Sequence, residues 1–250
     1  MATDEARMTF TEHLGELRTR IIRSGIAVAV ACLLCYILSN AIFDLVARPL
    51  LPRESTEIAP PWVALNPLEG VFVKLKLAGV AGIILALPYV SYQLAAFVFP
   101  GLTAREKKTV SILTAGCGVL AIAGVSLAYF GILPTVLPYL MDWNPEGVQS
   151  QLRLSETVSL LLKFYAGFAV AFQFPLVVLV LVFLDVVSPA ALKSYRKIVF
   201  VGIAMLSALL TPPDVLTMVM MATPLVLLYE LSIWASYVVA RIRHKRDREE

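Results

Sequence analysis

Two glutamates stand where a chain about to enter a membrane has little use for acid. One is Glu16, in "MTFTEHLGELRTRII" at 8–22, and the other is Glu106, in "FVFPGLTAREKK" at 97–108. Carboxylates accept paired hydrogen bonds from planar guanidinium groups, so two acids at one membrane face suit a ligand carrying two arginines. A simpler account exists for each. Glu16 and Arg20 stand four apart on a helix and can pair, and Glu106 sits in a mixed charge run with Arg105, Lys107 and Lys108. Acid beside an anionic leaflet opposes the attraction of nearby basic residues, so Glu16 needs either an internal partner or a ligand. Thr9 and Glu12 fit a capping box. Phe10, Leu14, Leu17 and Ile21 form one apolar stripe, which predicts an amphipathic helix at the cytosolic surface over 8–23.

Two more polar groups lie inside apolar runs, Gln173 and Glu230. Polar side chains at membrane depth are functional candidates by default. The alternatives are an interhelical bond, or cover for the carbonyl freed by Pro175, for Gln173, and a bond to a neighbouring helix or water for Glu230. The chain has no G-x-x-x-x-G-K-[ST], H-E-x-x-H or G-x-S-x-G, and its two histidines, His13 and His244, are far apart. ATP hydrolysis, metalloprotease chemistry and serine hydrolysis are therefore unsupported, and no enzyme activity, cofactor, metal or nucleic-acid partner is expected. Cys32 and Cys35 have C-x-x-C spacing, but apolar surroundings make them and Cys117 small packing residues.

The elements that must position these groups follow from composition. Of 250 residues 59% are hydrophobic and 16% charged, beyond the roughly 45–50% apolar share of soluble domains. Apolar blocks at 21–46, 70–99, 109–133, 158–184, 198–211 and 215–240 predict six transmembrane helices in one all-α membrane domain over 1–250. Connections on one side, including the tail at 241–250, hold 15 Lys and Arg against six on the other, which predicts cytoplasmic termini. Trp62 and Trp143 suit the opposite headgroup level. The leading segment is charged and its apolar run too long for a removable signal peptide, so it is expected to stay as span one. Pro88, Pro175 and Pro224 predict kinks in spans two, four and six. The bundle is expected to be concave, with short fifth and sixth helices. Ile198–Leu210 has 13 residues, about 20 Å of helix.

"HLGELRTR" at 13–20, "LPYVSYQLAAFVFPGLTAREKK" at 87–108, "AYF" at 128–130, "PEGV" at 145–148 and "LLTPPDV" at 209–215 resemble the TatC family, the receptor subunits of the twin-arginine protein translocase. The resemblance implies a receptor that binds twin-arginine signal peptides of folded cargo. It also implies recruitment of single-span TatA and TatB partners, assembly with other TatC copies in the bilayer, and export driven by the proton-motive force. Glu16, Arg18, Phe97 and Glu106 would belong to the signal-peptide site. Pro49 and Asp214 would match positions important for function and assembly, with Gln173, Thr211 and Glu230 grouped as structural, and the fifth and sixth helices would form the partner-docking edge. Many members carry glutamate where this chain has Gln173, and a polar residue where it has Met218. The alternative reading is a small secondary transporter with a midplane site built from Gln173 and Glu230. A third is a membrane scaffold without transport. With no transit peptide, a prokaryotic cell (inner) membrane is the expected location.

Overall fold

The computed structural model describes residues 10–48, 62–98, 104–142, 152–183 and 186–246. Among these residues ten α-helices follow in order: α1 Phe10–Ile37, α2 Ser39–Ala47, α3 Glu69–Val98, α4 Ala104–Leu127, α5 Leu133–Asp142, α6 Leu154–Ala171, α7 Phe174–Phe183, α8 Pro189–Ser194, α9 Arg196–Leu210 and α10 Val215–Arg246. Among the described residues the only extended pairing is an isolated bridge between Val63 and Arg153. With no water to take up backbone groups in hydrocarbon, helices satisfy them internally. Among the described residues five helical stretches are long and apolar enough to cross a membrane: His13–Ile37, Glu69–Phe97, Gly116–Met141, Leu154–Val182 and Val215–Arg241.

The fifth expected span, α9, has 15 residues, about 22 Å, and is short as anticipated. The sixth is not. It is α10, an unbroken helix of 32 residues whose apolar stretch continues into the basic tail, so the expectation of a short sixth helix is corrected. Span three also runs further than the expected end at 133. Pro134 has no amide to close onto Phe130, and instead of ending, the helix widens into a π turn over Ala128–Ile132, where the Leu133 amide reaches the Ala128 carbonyl, before resuming as α5.

The amphipathic stripe and span one form a single helix, α1, of 28 residues; Thr9 of the expected capping box lies outside the described residues. In span four the irregularity sits just ahead of Pro175. There the Gln173 amide bonds three residues back, to the Val170 carbonyl, at 3.0 Å, separating α6 from α7. α3 and α10 continue through Pro88 and Pro224.

Packing is densest around Leu77 on α3, Leu133 and Val136 on α5, Val158, Leu161, Phe164 and Phe168 on α6, and Met221 on α10, all buried. Lipid offers little hydrophobic drive between helices, so close contact comes from small residues. A Cβ on Gly82 would lie 2.6 Å from the Cys32 backbone, and one on Gly124 would lie 2.6 Å from the Phe168 carbonyl oxygen. Cys32, Cys35 and Cys117 are free, the last two buried, as packing residues should be.

Candidate functional site

α1 runs against α3 so that the N-terminal end of the first meets the C-terminal end of the second, and the polar residues of both converge there. Arg20 Nε donates to Glu16 Oε1 at 2.9 Å, and its Nη2 contacts the same oxygen. Arg20 Nη1 reaches across to Gln93 Oε1 at 3.3 Å. One turn further along each helix the His13 ring stacks on Phe97, centroids 4.5 Å apart and planes 16° from parallel. Below them is a cleft of about 370 Å³, lined by Leu17, Arg20, Ser24, Gln93, Leu94 and Phe97 among others, almost entirely apolar.

The electrostatics of this corner are lopsided. Both of Arg20's contacts to the carboxylate fall on Oε1, while Glu16 Oε2 is buried and has no hydrogen-bond partner among the described residues. A buried, unsatisfied charged acceptor costs more than the roughly 1–3 kcal/mol of a neutral one. A donor arriving from outside would relieve that cost. The internal pairing foreseen for Glu16 is therefore real and incomplete.

The remaining site residues fall in different places. Arg18 is exposed, two residues from Glu16 and so roughly 200° around the axis of α1; it does not join the cluster. Glu106 is the third residue of α4, in a first turn where acid complements the helix dipole; its side chain lies outside the described residues. So does Pro49. The loop from Val98 to Ala104 spans at most about 3.6 Å per residue, roughly 20 Å, which keeps the start of α4 within reach of Phe97.

Four other candidates are engaged internally. Gln173 Nε2 donates to the Cys117 carbonyl at 3.2 Å and to the Ala169 carbonyl at 3.1 Å, the second being the carbonyl its own shifted amide abandons. Thr211 Oγ1 donates to the Ser207 carbonyl at 2.8 Å. Asp214 caps α10: its Oδ1 accepts from the Thr217 amide at 2.8 Å and its Oδ2 from the Thr217 hydroxyl. Glu230 pairs with Arg196 at 2.5 Å, beside a bond from the Tyr229 hydroxyl to the Leu192 carbonyl at 2.7 Å, tying α8 and α9 to α10. Gln173 and Glu230 thus hold different helices together and do not share one polar site. Among the described residues no group of three or more His, Cys, Asp or Glu side chains could hold a metal ion.

Gln93 and His13 are the contributors that sequence reasoning missed. Gln93 precedes Phe97 by four residues and shares its face of α3, so a lone amide in an apolar run next to a loop with candidate acids was the available signal. Its partner, 73 positions away, was not readable from local spacing.

Comparison with known proteins bears on this site. A family model described as Sec-independent protein translocase protein (TatC) matches residues 12–224. The chain is 34% identical over 230 residues to the TatC protein of Halothiobacillus neapolitanus, covering 91% of this chain and 62% of that one. It is 33% identical to that of Desulforapulum autotrophicum, covering 100% and 91%, and 32% identical to that of Escherichia coli K12, covering 99% and 95%. Against a crystal structure of the twin-arginine translocase receptor TatC in DDM the TM-score is 0.81 at 33% identity, covering 90% of this chain and 99% of that one.

Proposed function

The chain belongs to the TatC family of Sec-independent protein translocase subunits, and from that premise we propose that its α1–α3 corner receives the twin-arginine motif of a signal peptide. As a family member it is a multi-pass membrane subunit of a protein transport system, not an enzyme. The observation that carries the proposal is the buried Glu16 Oε2, unpartnered among the described residues, one turn from Arg20, which lines an apolar cleft. One guanidinium bonds that oxygen; Phe97 offers a ring face on which a guanidinium stacks, displacing His13; Glu106, a short loop away, takes the second. Arg18 enters the site on the family motif alone. The apolar segment of the signal follows the cleft between α1 and α3.

The rest of the proposal follows from charge and exposed surface. Six spans with both termini cytoplasmic in a cell inner membrane fit the Lys and Arg bias, and put the Glu16 corner on the side from which cargo arrives. Ile198, Val201, Met205 and Leu209 are exposed along α9 at helical spacing, an apolar stripe suited to a single-span TatA or TatB helix, with other copies of the chain in the working complex and the proton-motive force as the energy source. The separate partners of Gln173 and Glu230 lend the transporter reading no support.

Crosslinking tests the site. In a variant with Cys32, Cys35 and Cys117 replaced by Ser, single cysteines introduced over 10–20 and 97–108 should capture a twin-arginine peptide and not its twin-lysine counterpart. Capture concentrated around 173 and 230, or equal capture of both peptides, would remove the proposal.

A further inference from the structure

At the other end of α3, 21 residues from Phe97 and so about 31 Å along the helix, is a second feature that signal recognition does not use. Lys76 is seven residues inside α3, about 10 Å from its start. Its Nζ donates to Ser159 Oγ at 3.1 Å and to Ser155 Oγ at 3.5 Å, both on α6. Neither partner carries charge. The nearby acids Glu69 and Glu156 pair instead with Arg153, and among the described residues no carboxylate meets Lys76. Lys76 is exposed, and an ammonium near the end of a membrane helix with only hydroxyl partners is a place for an anion. Ser159 donates its proton to the Ser155 carbonyl at 2.6 Å, while among the described residues the Ser155 hydroxyl has no acceptor and is free to donate.

Directly along the same faces lies an apolar cleft of about 500 Å³, walled by α1, α2, α3, α4 and α6. Val80, one turn on from Lys76, and Leu162, one turn on from Ser159, line it, and along α3 it extends through Ile84 to Pro88. From Val80 to Pro88 is about 12 Å, close to the roughly 15 Å depth of one leaflet's hydrocarbon. The polar groups at its rim and its apolar length are matched to an amphiphile with an anionic head.

We propose that this cleft holds one phospholipid drawn from the leaflet at that end of the bundle. Its phosphate sits on the Lys76 ammonium and the Ser155 hydroxyl, and one acyl chain lies along α3 toward Pro88. The lipid fills a concave wall that helix packing leaves open, and it neutralises a cation that the protein does not.

Native mass spectrometry of the purified full chain in detergent tests this, with phosphatidylglycerol, phosphatidylethanolamine and diacylglycerol added in turn. The wild-type protein should retain one phospholipid, preferred over diacylglycerol on the order of tenfold, the worth of one charge-assisted contact. Inorganic phosphate should leave that occupancy unchanged. Lys76→Ala should abolish the preference; Lys74→Ala, on another face of α3, should preserve it; Ala81→Leu, which narrows the cleft, should lower retention of every lipid in protein that stays monodisperse. Equal retention of diacylglycerol, an undiminished preference in Lys76→Ala, or crosslinking of a signal peptide's apolar stretch to Ala81→Cys with no lipid retained would each overturn the proposal.

Discussion

Replacing Glu16 by Gln preserves shape and removes charge, and two opposing consequences can be separated by magnitude. Inside the protein the change weakens an i, i+4 pair with Arg20 whose side chains are about one-fifth exposed, an interaction worth about 0.3–0.5 kcal/mol. Toward a ligand the change converts a buried, unpartnered carboxylate oxygen into a neutral acceptor or an amide. A hydrogen bond to a charged group contributes about 1.5–3 kcal/mol; at a site open on one side the low end applies, and about 1.5 kcal/mol is roughly tenfold in affinity. Because the change also lifts the cost of burying a charged oxygen without a partner, thermal stability should hold or rise while peptide affinity falls by an order of magnitude.

Arg20→Gln is the control. It breaks the same internal pair yet leaves the carboxylate, and it frees Oε1 as well, so a twin-arginine peptide should bind at least as tightly as to the wild type. Fluorescence anisotropy of a labelled peptide on protein in nanodiscs reads both variants. A twin-lysine peptide keeps the charge and loses the fork geometry, so the preference for arginine should be large in wild type and Arg20→Gln, and small in Glu16→Gln. Equal losses in the two variants would mean that Glu16 acts only by holding Arg20, and the ligand role would be gone.

Two further outcomes follow from geometry. Asp214→Ala removes both bonds to Thr217 at the start of α10 and should lower stability by about 1–2 kcal/mol, seen as a reduced melting temperature, whereas Asp214→Asn, still a capping residue, should lose much less; equal losses would point to a charge requirement instead. Gly82→Ala places a methyl 2.6 Å from the Cys32 backbone nitrogen and Cα, so α1 and α3 must part at a cost of about 1–3 kcal/mol. Adding Cys32→Ala should not rescue it, because the clash is with main chain, and a wild-type melting temperature would refute the close approach.

How far the sequence reached depended on the range of each interaction. Five of the six expected spans were legible because a 20-residue apolar block is a local property, and the Glu16–Arg20 pair because four residues bring side chains onto one face. The end of span three was missed because Pro134 reads as a terminator, and only the backbone reveals that a π turn absorbs the missing amide. The break in span four was expected at the carbonyl freed by Pro175, but Gln173 shifts it upstream by covering the Ala169 carbonyl itself. Asp214 was read through the family resemblance alone; the cap it makes on Thr217 at the start of α10 is seen only in the structure. Gln93 joined the site through a contact between distant helices, which no window of the sequence contains.

The distribution of satisfied and unsatisfied polar groups supports placing the proposed recognition at the helix ends. Within the apolar spans Gln173 bridges to Cys117 and Glu230 to Arg196, each closing a gap in the fold, and glycine contacts such as Gly82 on Cys32 and Gly124 on Phe168 fix the helices at short range. Among the described residues Gln173 Oε1 and Ser207 Oγ stay unpartnered within the spans, but both are neutral, so a charged ligand has more to gain at the ends. At one end of α3 an acid keeps an oxygen free beside aromatic rings; at the other a lysine has only hydroxyls. Glu16 on α1 meets the end of α3 at Phe97, about 31 Å along that helix from Lys76, so the proposed cationic peptide and the proposed anionic head would occupy opposite ends of the bundle without competing.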